Sequence, residues 1–217
     1  MALPISPKSS LPTESPSLDP ALFCEYISTK ATLTHQISLS TSPSTPLYSI
    51  KTHQSLSREK PSIVMHAGAD KTAPVVGVVK IHLPHGRHCT IGIGNPEMII
   101  EEGGDKAERM VWEKLQTMKK WTYRWYQFEF GAEGEREVYT WRRTKDRWPR
   151  RLKDMELRVG KEEDGELVAI WRGSDGMKAK RGSFFVKKRE GLKEEKKWEL
   201  MVLLTGLSII ESYMRRS

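Results

Sequence analysis

The chain has 217 residues and little cysteine. Cys24 and Cys89 are too few for a disulfide framework, so nothing asks for an oxidising compartment. One bridge between them is the most the sequence allows. A long apolar run is also missing. The greasiest stretch, Leu200 to Ile210, falls well short of the about 20 residues that a bilayer span needs, and Glu199 and Glu211 close it on either side. No transmembrane span is read. At the start, "MALPISPKSSLPTESP" has neither an early basic region nor an apolar core, because prolines interrupt each short hydrophobic group. The expectation is an intracellular protein, cytoplasmic or peripheral to a membrane, with the nucleus left open.

Charge, by contrast, is plentiful. Charged residues make up 29% of the chain and the formal net charge is +8, with a mean hydropathy of -0.56 and a pI near 9.4. These values describe a globular protein with a wet surface that favours anionic partners; they carry no information about fold.

Composition divides the chain. Residues 1–30 are dominated by Pro, Ser and Thr and are read as a disordered tail, and Ser6, Ser15 and, further on, Ser42 are phosphorylation candidates. From residue 31 to 217 one domain is expected, built mainly of short alternating segments. In "PVVGVVKIHL", Val75, Gly77, Val79, Ile81 and Leu83 share one face while Lys80 and His82 take the other, the period of a half-buried strand. "PLYSIKT", "SIVMHA", "CTIGIG", "YRWYQFEF", "EVYTWRR", "MELRV", "ELVAIW" and "GSFFVKK" read the same way, each bounded by turn residues. Many short strands at regular spacing predict a sandwich or a barrel. Two pieces break the pattern. "EEGGDKAERMVWEKLQTMKK" is expected to form a loop with a helical turn or two around Met110, Trp112 and Leu115. The other is a C-terminal helix over about 199–214.

That helix is apolar on every side, so it must be buried on every side. Only strands are available to surround it. A sheet wrapped around a central helix removes the sheet edges and fills the lumen at once, which makes a closed antiparallel barrel the expected architecture.

Candidate chemistry is thin. In "IHLPHGRHC", His82, His85, His88 and Cys89 are of metal-ligating type, but a hairpin turn at Pro84 to Gly86 need not make them converge, so no metal site and no cofactor is assigned. "IGIGNP" lacks the third glycine of a dinucleotide fingerprint, and Pro96 obstructs the helix that should follow. Cys89 and His88 are strand neighbours facing opposite ways, and "KEEDGE" (Glu162, Glu163, Asp164, Glu166) reads as a charged turn. No catalytic residue is assigned and no enzyme is expected. The basic clusters remain. "RRTKDRWPRRLK" carries Arg142, Arg143, Lys145, Arg147, Arg150, Arg151 and Lys153 around Trp148, and "KAKRGSFFVKKR" carries Lys178, Lys180, Arg181, Lys187, Lys188 and Arg189. Such groups suit phosphate oxygens at an acidic membrane.

"PLYSI", "IGIGNP" followed by "MVWEKL", "YTWRRT", "LVAIWR" and the closing "WELMVLLTGLSIIESYMRR" occur here in an order that resembles the tubby C-terminal-like superfamily. The chain looks most like its uncharacterised fungal members, related in fold to LURP-one-related proteins and phospholipid scramblases. The resemblance covers about residues 31 to 217. It implies a mostly β fold, a closed antiparallel barrel of about twelve strands around a central hydrophobic C-terminal helix. It also implies phosphoinositides as the class of ligand, without fixing a position. The expected function is therefore a non-enzymatic module attaching to acidic phospholipids or phosphoinositides through the two basic clusters. The alternative is a structural or protein-interaction module without a lipid ligand; nucleic acid is a less expected partner, since no reading motif accompanies the charge.

Overall fold

The structure is a computed structural model that describes residues 18–31, 34–39, 42, 44–53, 60–70, 72–82, 88–94, 111–120, 123–132, 134–144, 154–174, 180–189 and 195–215. Twelve strands and one helix follow in order. They are β1 (Phe23–Ala31), β2 (Thr34–Leu39), β3 (Pro46–Thr52), β4 (Ile63–Ala67), β5 (Val75–Ile81) and β6 (His88–Ile93). Then come β7 (Val111–Lys120), β8 (Tyr123–Phe130), β9 (Glu137–Arg143), β10 (Asp154–Val159), β11 (Leu167–Gly173), β12 (Lys180–Lys187) and α1 (Glu195–Met214).

Each strand pairs antiparallel with its sequence neighbours, and β1 pairs with β12, so the sheet closes into a barrel without an edge. α1 is buried continuously from Leu200 to Ile210. Its partners come from around the wall: Tyr48 of β3 bonds Glu199, Trp141 of β9 bonds Thr205, and Gly77 of β5 and Gly206 make room for Leu204 and Phe184. The helix is thus the barrel's core. Alternate wall residues, among them Ile50, Met65, Val79, Ile91, Phe128, Trp141, Leu157 and Phe184, point inward to meet it.

Three sequence expectations are corrected. β1 lies within the stretch assigned to the tail: Cys24, Tyr26 and Ser28 face the lumen, and Ser28 had weakened the apolar signal. Ser28 stands opposite Gly182 and Ile37 in register. The expected helical turn at Trp112 and Leu115 is instead β7, a strand of period two. Its pattern misleads because Trp112 is 46% exposed on the outer face while Glu113 is 8% exposed on the inner one, held by Arg136 at 2.6 Å. α1 begins at Glu195, one turn before the expected start, with Trp198 already buried. A carboxylate in the first turn complements the positive end of the helix dipole.

Sequential antiparallel order sorts the connections. The β2–β3, β4–β5, β6–β7, β8–β9 and β10–β11 connections gather at one end of the barrel, with the start of β1 and the start of α1. This is called the near end. The odd strands finish at the far end, where Arg215 after α1 reaches the carbonyl of His53 after β3 at 2.6 Å.

Candidate functional site: the basic far end

Charge is segregated along the barrel axis. Lys51 lies next to the end of β3, Lys60 precedes β4, Lys80 lies near the end of β5, Lys119 near the end of β7, and Arg124 is the second residue of β8. Arg143 ends β9, Arg172 lies next to the end of β11, and Arg215 follows α1. All stand at the far end, and Lys30, Lys120, Lys180 and Arg181 occupy backbone positions there too. Among the described residues the acids of this end are Asp154 and Glu211. Asp154 Oδ1 accepts a bond from the Gly173 amide at 3.2 Å, and Glu211 pairs with Arg215 at 3.2 Å.

The near end has the opposite balance. Asp19, Glu25, Asp70, Glu113, Glu129, Glu135 and Glu137 collect there, joined by Glu162, Glu163, Asp164, Glu166, Glu195 and Glu199. Its bases are largely tied to those acids. Arg136 binds Glu113, Arg189 binds Glu137 at 3.4 Å, and Lys187 binds Glu166.

The sequence-predicted basic residues therefore divide. Arg142 and Arg143 are both on β9, but successive strand residues point to opposite faces. Arg142 lies on the outer wall, where it is bound by the Lys161 carbonyl and by Glu163 at 3.2 Å beside the Trp125 ring. Arg143 is exposed at the far mouth, with its guanidinium 5.3 Å from the Tyr213 ring. Lys180 and Arg181 open β12 at the far end, whereas Lys187 closes β12 at the near end. Lys188 donates to the Ala21 carbonyl at 3.1 Å, and Arg189 donates to Tyr139 Oη at 2.7 Å while lying 4.7 Å from the Trp198 ring. Lys145, Arg147, Arg150, Arg151, Lys153 and Lys178 lie outside the described residues. The strand ends that flank them, β9 to β10 and β11 to β12, are at the far end.

Sequence reasoning missed Lys51, Lys60, Lys119 and Arg124, all exposed and without an ion-pair partner among the described residues. They are scattered in sequence, and only the meander brings them to one rim. The signal was present in the strand segments, since bases recur at the ends of odd strands and the starts of even ones.

The histidines are also brought together. His82 and His88 face each other across the end of the β5–β6 hairpin with ring centroids 4.6 Å apart, and His82 Nε2 lies 2.9 Å from Thr90 Oγ1. Cys89 instead packs toward the core. His85 lies outside the described residues. Among the described residues no group of three or more His, Cys, Asp or Glu side chains converges on a metal-sized site. Burial holds the imidazoles of His53 and His88 below their ordinary value. Lys51 and Lys60 add to the effect on His53, as do Lys114 and His82 on His88.

Inside the far end, Ser28, Ile50, Thr52, Ile63, Trp171, Leu207, Ile210 and Glu211 line a cavity of about 10 Å³. Ser28 Oγ and Trp171 Nε1 are buried there without a hydrogen-bond partner. The space is about what one water needs, and it is too small for an organic substrate. No helix among the described residues is long and apolar enough to cross a membrane. No family model, curated protein or solved structure matches this chain.

Proposed function

We propose that the protein is a non-enzymatic docking module whose basic far end attaches peripherally to acidic phospholipid surfaces, phosphoinositides among them. The observation that carries this reading is the segregation of charge: Lys51, Lys60, Lys119 and Arg124 are exposed at one end without an ion-pair partner among the described residues, and most of the described acids stand at the other. A barrel polarised in this way meets an anionic plane in one orientation, because the acidic end is repelled. Each basic residue close to such a plane contributes about 1 kcal/mol, so a handful suffices for reversible attachment. The resemblance to tubby C-terminal-like proteins points to the same class of ligand. Lys187, Lys188 and Arg189 take no part in the proposed surface.

Flotation with vesicles tests the reading. Acidic vesicles should capture the protein at low salt and release it as salt rises, since exposed charges are screened. The combined changes Lys51→Glu, Lys119→Glu and Arg124→Glu should abolish capture, while Lys161→Glu at the near end should leave it intact. Equal capture by neutral and acidic vesicles at low salt would reject the reading.

A protein-interaction module is the second reading, and Trp112 favours it. This indole is exposed on the outer wall with Lys80 5.6 Å from its ring. If it anchors a protein partner, Trp112→Ala should abolish capture of that partner and leave vesicle binding unchanged.

A further inference from the structure

The bases of the far end are accompanied by titratable groups. Of the six histidines in the chain, His53 follows β3, His82 follows β5 and His88 opens β6, and all three are half-buried at the far rim. His35 occupies a far-end position at the start of β2, paired in register with Lys30 and Ile50. His66, at the other end of β4, sets its Nδ1 2.8 Å from the Ala73 carbonyl at the near end.

We propose that attachment of the far end is gated by protons. His53 and His88 take up protons as this end settles on an acidic phospholipid surface, so binding strengthens as pH falls from about 7.5 to about 5.5. The inference rests on the docking reading above.

The surroundings of each ring give the mechanism. His53 meets Lys51 from β3, Lys60 from the approach to β4, and from α1 the Arg215 guanidinium that holds its carbonyl. His88 meets Lys114 from β7, with Gln116 opposite in register, and His82 from across the hairpin. His82 has Thr90 of β6 and His88 as its neighbours. The charges acting on His53 and His88 are therefore cationic, and burial adds to their effect. In the free protein these groups favour neutral imidazoles at neutral pH.

An anionic plane reverses the balance. Its charges offset the lysines and favour the imidazolium, so the bound state holds more protons than the free state. By linkage, the affinity rises as pH falls through the bound-state value toward the free-state value. At about 1 kcal/mol per added charge, each proton strengthens binding about fivefold, and the two together about thirtyfold.

The test uses the full chain and phosphatidylserine-containing vesicles at fixed low ionic strength. Capture should be at least tenfold stronger at pH 5.5 than at pH 7.5. The combined variant His53→Gln and His88→Gln should lose most of that gain, while His66→Gln should keep it. Calorimetry of the unaltered protein at pH 6.5, in two buffers of different ionisation enthalpy, should show net proton uptake on binding. This readout does not depend on the variant folding. Binding of equal strength at both pH values, or binding without proton uptake, overturns the gating and leaves docking intact. Absence of binding at either pH overturns both.

Discussion

Trp141 Nε1 on β9 donates a 2.9 Å hydrogen bond to Thr205 Oγ1 on α1, joining wall and axis between residues 64 positions apart. Thr205 Oγ1 donates in turn to the Val202 carbonyl at 3.0 Å, so the hydroxyl is fully used in a site without solvent. Thr205→Val keeps the shape but leaves the buried indole N–H alone, at a cost of about 1–3 kcal/mol. Thr205→Ser retains the acceptor and should cost less. Denaturant titration of the two variants checks the order, and equal losses would mean that this bond does not hold the helix in register.

Gly206 lies against the wall where Phe184 is fully buried, and a Cβ there would come inside van der Waals contact with Phe184 Cε1. On an exposed helix, replacing glycine by alanine gains about 1 kcal/mol. Here the overpacking penalty of about 1–3 kcal/mol works against that gain, so Gly206→Ala should lower the melting temperature. Adding Phe184→Leu, which removes the obstructing ring, should recover part of the loss relative to Phe184→Leu alone. Additive losses in that double-mutant cycle would separate the two positions.

At the near end Tyr48 donates to Glu199 Oε1 at 2.9 Å, and Tyr26 faces the same carboxylate. Burial, and then the Glu199 charge, push both phenols well above the usual tyrosine range; burial and the bond to Glu137 do the same for Tyr139. The raised folded values work in one direction. The stability these groups contribute is complete below the unfolded value of about 10 and declines as pH rises above it, because only the unfolded chain ionises there. Absorbance titration should show Tyr26, Tyr48 and Tyr139 ionising only as the barrel opens. If these three ionise near pH 10 with the fold intact, the near end is not closed.

Why was so much of this legible in sequence? Strands such as Pro46–Thr52, Tyr123–Phe130 and Glu137–Arg143 coincide with their sequence segments because each buries one face against an apolar helix, which imposes strict alternation. The axial helix was legible for the complementary reason, since a helix without a polar face has no solvent side. The signal failed where the lumen accepts something other than a large apolar side chain. Ser28 and Glu113 both face inward, one opposite Gly182 and the other against Arg136. The basic end was half legible. Arg142 and Arg143 stand out as neighbours, but Lys51, Lys60, Lys119 and Arg124 are united only by the direction in which each strand runs. The same directionality separates Lys180 from Lys187 at opposite ends of β12.

The histidine rim also marks the stability of the free protein. For a base whose folded value is depressed, as at His53 and His88, the unfolded chain binds the proton more readily. Stability from these sites is complete above the unfolded value of about 6.5 and declines as pH falls from there through the folded values. Ordinary carboxylates, with values near 4, lie in a lower window. Melting temperature in the absence of anions should therefore fall modestly between pH 7 and pH 5.5, and less steeply in a variant carrying both His53→Gln and His88→Gln. Parallel curves for the two proteins would show that these imidazoles titrate as freely in the folded chain as in the unfolded one, and the rim would then have no protonation deficit for an acidic surface to relieve.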